Sequence, residues 1–256
     1  VALVLLLCLF AIGVNAWTPA ALKDKIDSLP GQPDGVDFEM FGGYIDVRNG
    51  TNSIYYQFFT SSAGAKDSPV MWTTSGGPGC SGMYFNAIES GPFEVNKDGT
   101  LKLRPTRFNR IANTIYVEQP AGVGFSKTKN PNFRWTDADA ANDNFEFIVK
   151  FFERYPELKP NNFFLNSESY GGHYLPTLAL NFVKYEHDIN FKGFFVGNPL
   201  IYMPYRDFGQ YATYGNHQLL PYAEFSEYVK QCTPSTSGMP NPPNDLPMVC
   251  SSLERK

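Results

Sequence analysis

Residues 163–172 read FFLNSESYGG and decide the fold of the chain. An apolar, strand-like run comes first and a helical pattern begins at about His173, so Ser169 lies in a tight strand-to-helix turn. Such a turn lifts a serine hydroxyl clear of a sheet, and the helix N-terminus behind it stabilises negative charge. Ser167 and Gly171 keep the flanks small, as in the general pattern G-x-S-x-G with serine for the first glycine. The stretch also fits an ordinary turn in which serine caps a helix.

The sequence around this turn alternates between strand-like and helix-like patterns. Helices are predicted from Thr136 to Pro156 and from about His173 to Tyr185, and a hairpin is predicted around Asn49-Gly50. Further apolar strands are predicted at residues 70–74, 114–117, 163–165 and 191–196. Strands that alternate with helices indicate a parallel sheet, to which the hairpin adds an antiparallel edge. We therefore predict an α/β fold with a mixed, mostly parallel sheet flanked by helices.

A glycine-rich loop, Gly76-Gly77-Pro78-Gly79, follows the predicted strand at residues 70–74. An oxyanion hole takes one backbone N–H from the residue after the nucleophile and another from an early loop of this kind. Tyr170 and Gly77 are therefore the candidate donors. Taken alone, the loop also fits a simple turn.

Five segments of the chain, taken in order, resemble motifs of the serine carboxypeptidase family. Their order and spacing match from about residue 29 to residue 199, and five ordered segments are not expected by chance. They are WTTSGGPGCS at 72–81, ESGPF at 89–93, EQPAGVGFS at 118–126, SESYGGHYLP at 167–176 and GNP at 197–199.

The resemblance implies an α/β-hydrolase fold and a hydrolase that removes single residues from the C-termini of peptides or proteins. It implies that Ser169 is the nucleophile, forming an acyl-enzyme, and that Gly77 and Tyr170 donate to the oxyanion. It implies no cofactor. The positions that match the binding segment for the substrate's terminal carboxylate are Glu168, Ser75 and Gly76.

Several positions depart from the family pattern. The family usually has Trp-Leu-Asn before Gly-Gly-Pro-Gly, whereas Ser75 occupies the Asn position here and Thr73 the Trp position. A serine hydroxyl can donate a hydrogen bond to a carboxylate, but it lacks the reach and the paired groups of an amide. Ser167 replaces the usual glycine before the glutamate, where a small side chain is expected to fit.

A nucleophilic serine also needs a base, and in this fold the triad order along the chain is Ser, Asp, His. The chain has 3 histidines, and none is expected to be that base. His173 belongs to the nucleophile segment, His187 ends the following helix, and His217 lies in cap-like sequence. We therefore expect only the N-terminal part of a serine carboxypeptidase, without its C-terminal strands and helices, and an isolated chain that is inactive.

Two alternatives from the same sequence stay open. One is a catalytically silent, secreted protein that uses the same cleft as a binding module. The other is an acyltransferase of similar architecture that uses the same serine on a different acyl donor.

The two ends of the chain differ from its middle. Residues 1–16 are almost wholly apolar up to Val14-x-Ala16, which predicts a signal peptide. We expect residues 17–202 to be the hydrolase part and residues 203–256, with their Pro-rich stretch, to begin a cap. Cys232 and Cys250 flank that stretch and could form a disulfide, which leaves Cys80 without a partner.

A signal peptide predicts the secretory pathway, with the protein extracellular or in a lysosome or vacuole. Asn49-Gly50-Thr51 is a possible glycosylation site consistent with that route. No apolar run is long enough to require a membrane span after signal removal.

Composition excludes several other classes of protein. The formal net charge of −4 and 18% charged residues argue against a nucleic-acid partner or a disordered chain. Gly122-Val-Gly124 follows a strand but lacks the third glycine of a dinucleotide-binding loop. No His/Cys spacing suits zinc.

Overall fold

The computed structural model describes residues 17–232. The predicted signal peptide at residues 1–16 and the Pro-rich stretch with Cys250 lie outside the described residues. The chain divides into two compact units, one ending at Pro199 and the other beginning at Leu200.

The first unit contains most of the secondary structure. Its elements are α1 (Pro19–Lys23), β1 (Lys25–Ile26), β2 (Met40–Val47), β3 (Asn52–Phe59), β4 (Val70–Thr73), α2 (Gly82–Phe85), β5 (Phe93–Val95), β6 (Leu101–Leu103), β7 (Asn113–Val117), β8 (Lys127–Thr128), α3 (Asp137–Arg154), β9 (Phe163–Glu168), α4 (Gly171–Lys184) and β10 (Phe191–Gly197). A π-helical turn at Asn86–Ser90 continues α2.

Within residues 17–199, an 8-stranded mixed sheet organises this unit, in the order β1-β2-β3-β7-β4-β9-β10 with β8 paired to β3. The neighbouring strands β7, β4, β9 and β10 are parallel to one another. The pairs that involve β1, β2, β3 or β8 are antiparallel. The parallel pairs place the carboxyl ends of β4 and β9 side by side. This sheet confirms the predicted α/β fold. The glycine-rich loop after β4 and the turn at Ser169 after β9 therefore lie at the same edge of the sheet.

The main core lies between the sheet and the long helices α3 and α4. Alternate residues of the strands point into it, as Val70 and Trp72 of β4 and Leu165 of β9 do. The helices contribute an apolar face that includes Phe151 and Leu175. A smaller cluster on other parts of the sheet comprises Met40, Phe59, Phe85, Phe93 and Tyr116.

Helix α3 begins where the sequence predicts. The Thr136 hydroxyl accepts from the N–H of Asp139, and the Asp139 carboxylate accepts from the N–H of Thr136, which forms a capping box. Helix α4 begins at Gly171, two residues before the predicted start at His173. The helix begins earlier because only Ser169 and Tyr170 lie between the end of β9 and Gly171.

A two-stranded antiparallel sheet of β5 and β6 was not predicted, because its strands are only three residues long. The second unit contains α5 (Met203–Asn216) and α6 (Tyr222–Cys232), in which Tyr211 stacks on Tyr228 at 4.1 Å. Cys232 is buried, but its predicted partner Cys250 is not described, so the disulfide stays a prediction. Among residues 17–232, no helix has the length and apolar character to span a bilayer.

Candidate active site

Ser169 occupies a strained turn between β9 and α4. Its φ of 52° lies in the left-handed region, which a residue with a Cβ adopts only when its surroundings hold it there. The Ser169 N–H donates to the Gly197 carbonyl at 2.9 Å, which ties the turn to the end of β10. The side chain is exposed, so its hydroxyl is accessible at the carboxyl edge of the sheet.

The substitution of serine for the first motif glycine is accommodated by Gly171. A Cβ at position 171 would lie 2.4 Å from Ser167 Oγ and 2.5 Å from Ser167 Cβ, so no side chain fits there. Ser167 is itself buried under the turn. One small residue and one glycine thus provide the space that two glycines provide in the general motif.

The loop after β4 packs directly against this turn. A Cβ on Gly76 would lie 2.7 Å from the Tyr170 nitrogen and 2.6 Å from the Glu168 carbonyl oxygen. Gly77 has a φ of 114°, which only glycine adopts readily. The structure therefore places Gly76 and the next residue, Gly77, beside the predicted nucleophile.

A tyrosine on α4 holds the same loop. The Gly79 N–H donates to the Tyr174 hydroxyl at 3.1 Å. Burial raises the pKa of Tyr174 to about 12, so the hydroxyl stays neutral.

Among residues 17–232, no acceptor takes the N–H of Gly77 or of Tyr170. Both groups can therefore donate to a ligand.

Two carboxylates and a hydroxyl lie beside the nucleophile turn. The Ser75 hydroxyl donates to Glu168 Oε1 at 3.3 Å, so two of the predicted carboxylate-binding residues are in contact. Glu89 also interacts with Glu168. Burial, and then the charge and hydrogen bonding of Glu168, raise the pKa of Glu89, whereas Arg104 opposes the shift.

Glu89 was not among the predicted site residues, although it opens the quoted segment at residues 89–93. It lies at the π-helical turn, about 80 residues from Glu168 in the chain, and sequence spacing does not reveal that contact.

None of the three histidines forms a hydrogen bond with Ser169 in the described part of the chain. The His173 ring stacks on Tyr170 at 4.7 Å. His187 lies 3.0 Å from the Phe182 carbonyl through Nε2, and its Nδ1 accepts from the Ile189 N–H. His217 follows α5 in the second unit. In the described part of the chain, no side chain accepts a hydrogen bond from the Ser169 hydroxyl.

The remaining predicted residues lie on the surface. Asn49 is exposed at the turn between β2 and β3, with a φ of 52°. Cys80 is an exposed free thiol in the loop after β4. Across residues 17–232, no three His, Cys, Asp or Glu side chains are grouped so as to hold a metal ion.

Comparisons with known proteins agree on one family. A family model described as serine carboxypeptidase matches residues 30–252. The chain is 36% identical over 236 residues to serine carboxypeptidase-like 38 of Arabidopsis thaliana, covering 88% of this chain and 48% of that protein. It is 40% identical over 199 residues to the lysosomal protective protein of Mus musculus, covering 77% and 41%.

A solved structure has the same fold. The prohormone-processing carboxypeptidase Kex1(delta)p of Saccharomyces cerevisiae matches with a TM-score of 0.73 and 24% identity, over 93% of this chain and 53% of that chain. The chain thus spans about half the length of the relatives it matches.

Proposed function

The chain belongs to the serine carboxypeptidase family, and we propose that it serves in hydrolysis of the C-terminal peptide bond of peptides and proteins. Ser169 is the nucleophile in this proposal. Its Oγ attacks the scissile carbonyl carbon and forms an ester with the acyl part, while the Oγ proton passes through a base to the leaving amino acid. Water then hydrolyses the ester and restores the serine.

One observation carries the proposal: an exposed serine in a left-handed turn lies beside two N–H groups that have no acceptor within residues 17–232. The N–H groups of Gly77 and Tyr170 would stabilise the oxyanion that forms on attack. Removal of one such donor typically lowers kcat by about 100-fold to 1,000-fold.

Glu168, Ser75 and Gly76 would hold the terminal carboxylate of the substrate. Two carboxyl groups at hydrogen-bond distance do not both ionise readily, so one of them keeps a proton. Burial and the neighbouring Glu168 raise the pKa of Glu89, so Glu89 keeps its proton to a higher pH than a free glutamate and can supply that proton. Once Glu89 ionises, its negative charge repels the carboxylate of the substrate.

Peptide binding should therefore be tighter at acidic pH. For the full-length protein, we expect KM for a blocked dipeptide with a free C-terminus to rise between pH 4 and pH 8. In Glu168→Gln the amide donates at every pH, so the rise should be smaller, whereas Asp67→Ala, an exposed control, should behave as wild type. A KM that stays flat in the wild-type protein would rule out this carboxylate role.

The source of the catalytic base is the second point to test. Without a base the serine hydroxyl stays protonated and is a poor nucleophile. We expect no labelling of the 256-residue chain by an organophosphonate probe, but labelling of the full-length protein that is lost in Ser169→Ala. Rapid labelling of the 256-residue chain would show that it contains a base. Peptide binding without any labelling of the full-length protein would instead favour the silent binding module.

We also propose entry into the secretory pathway, with residues 1–16 as the signal and an extracellular, lysosomal or vacuolar destination. The relative named lysosomal protective protein supports that route. Residues 17–202 would then form the N-terminal part of the hydrolase domain, and residues 203–256 the start of its cap.

A further inference from the structure

We propose that Asp137 is a positioning residue for the nucleophile turn: its carboxylate holds the Tyr170 ring and thereby fixes the direction of the Tyr170 N–H. The inference rests on the proposed function, in which that N–H stabilises the oxyanion.

The contact between the two residues is direct. The Tyr170 hydroxyl lies 3.2 Å from Oδ1 and 3.4 Å from Oδ2 of Asp137, so it donates to the carboxylate. Burial, followed by the charge of Asp137 and the hydrogen bond to it, raises the pKa of Tyr170. The hydroxyl therefore keeps its proton and remains a donor. A hydrogen bond to a charged acceptor is stronger than one between neutral groups.

The His173 ring adds a second restraint on Tyr170. The two rings stack at 4.7 Å with an interplanar angle of 24°, and His173 Nδ1 lies 3.9 Å from Asp137 Oδ2. The Tyr174 ring approaches Tyr170 edge-on at 5.0 Å. The hydrogen bond from its hydroxyl thus holds Tyr170 to α3, and the ring contacts hold it to α4.

Asp137 can act as an anchor because the start of α3 is itself fixed. The capping box of Thr136 and Asp139 closes the first turn. Arg48 donates to the Asp139 carboxylate at 3.2 Å, and its guanidinium lies 5.0 Å from the centre of the Phe133 ring. The segment on both sides of Asp137 is therefore tied to the turn between β2 and β3.

The nucleophile turn has local backbone hydrogen bonds but no side-chain cap, so a contact from α3 adds a restraint that the turn does not supply itself. Tyr170 is the N-cap residue of α4 and makes no side-chain capping hydrogen bond to that helix. Ser169, in front of it, has a strained φ; its N–H donates to the Gly197 carbonyl and its own carbonyl accepts from the Gly172 N–H. A residue held in such a conformation relies on restraints from its surroundings. The Asp137 contact is a restraint on the residue that carries the oxyanion donor.

The test uses the full-length protein with the variants Asp137→Ala, Asp137→Asn, Tyr170→Phe and the double variant Asp137→Ala/Tyr170→Phe. We expect each of Asp137→Ala and Tyr170→Phe to lower kcat about tenfold per titrated active site, with KM within about twofold, because oxyanion contacts form in the transition state. The double variant should be no worse than either single variant, since both remove one contact. Asp137→Asn keeps an acceptor oxygen and should retain most of the activity. Asp67→Ala, an exposed aspartate in the loop before β4, is the control.

An unchanged kcat per active site, or effects that multiply in the double variant, would overturn the inference. A lower melting temperature with normal kcat would mean that the contact only stabilises the fold. If the wild-type protein hydrolyses no peptide, the proposed function fails but Asp137 is still tested, through amide hydrogen exchange at Tyr170. Exchange about tenfold faster in both single variants supports positioning, and unchanged exchange contradicts it.

Discussion

At the residue scale, the nucleophile turn depends on the combined volume of Ser167 and Gly171. The buried Ser167 side chain fills the space next to the first residue of α4 and leaves none for a Cβ there. The turn therefore limits the combined volume of the side chains at positions 167 and 171, and it does not require glycine at both.

This dependence gives a direct test by compensation. Gly171→Ala should destabilise the full-length protein by about 1–3 kcal/mol, because the new methyl group overlaps Ser167. Ser167→Gly/Gly171→Ala should recover most of that loss, since the obstructing hydroxymethyl group is gone. Chemical denaturation measures both. Gly209→Ala is the matched control, because a Cβ there has no neighbour within 4 Å. Absence of recovery in the double variant would show that Gly171 is needed for another reason.

Sequence analysis found the residues of this site that are close in the chain. Ser169, Glu168 and Tyr170 follow from a single motif, and Ser75 to Gly77 from a second one. Glu89 and Tyr174 were missed because their contacts, with Glu168 and with Gly79, join segments that are distant in sequence. Asp137 was not predicted as a site residue, because its contact with Tyr170 also joins segments that are distant in sequence.

At the element scale, the long elements were predictable and the short ones were not. Apolar periodicity and the Thr136 cap identify α3, and apolar runs identify the strands of the parallel half of the sheet. β5 and β6 form a hairpin whose only strong signal is Asp98-Gly99. The insertion of β7 between β3 and β4 has no local signature, since strand order is decided by packing of the complete sheet.

Helix α3 is attached to the β2–β3 turn by an ion pair whose carboxylate, Asp143, is buried. Arg48 Nε donates to Asp143 Oδ1 at 2.9 Å, and Asn52 Nδ2 donates to Oδ2 at 2.7 Å. Burial raises the pKa of Asp143 despite these partners, so the carboxylate depends on its cation. Arg48→Met should cost about 2–3 kcal/mol, because it leaves a buried charge without its counter-ion.

The second variant separates charge from packing. Arg48→Met/Asp143→Asn should regain more than half of the lost stability, because a neutral amide needs no counter-ion. Denaturation curves at pH 7 provide the measurement. Equal losses in the single and double variants would indicate that stacking of Arg48 on Phe133 and Trp135, rather than the ion pair, is the important contact.

At the scale of the whole molecule, one face of the parallel sheet carries apolar side chains that are half-buried or exposed. Met71, Phe164 and Phe195 point away from the core formed with α3 and α4, and with Phe108 and Ile111 they line an open apolar cavity of about 350 Å³. Phe195 is 56% exposed on β10, the last strand in the sheet order among residues 17–232. A contiguous apolar face at a sheet edge favours association.

The 256-residue chain should therefore bind the dye ANS while folded, and it should self-associate as its concentration rises. Phe195→Lys should reduce both effects, because it places a charge on the apolar face at the sheet edge. Val183→Lys is the matched control, since Val183 is 80% exposed on α4 and lies outside that cavity. Dye fluorescence and sedimentation velocity measure the two effects. Equal results for the two lysine variants would contradict a role for this face.

The hydrogen bond from the Gly79 N–H to the Tyr174 hydroxyl has a mechanical consequence. It crosses from the loop after β4 to the helix that follows the nucleophile, two segments that are 95 positions apart in the chain. We therefore expect a displacement of α4 to move the loop in the same direction, so that the spacing between the serine and the loop changes less than the position of either one. The alignment of the nucleophile with the loop should then persist while the surrounding helix moves.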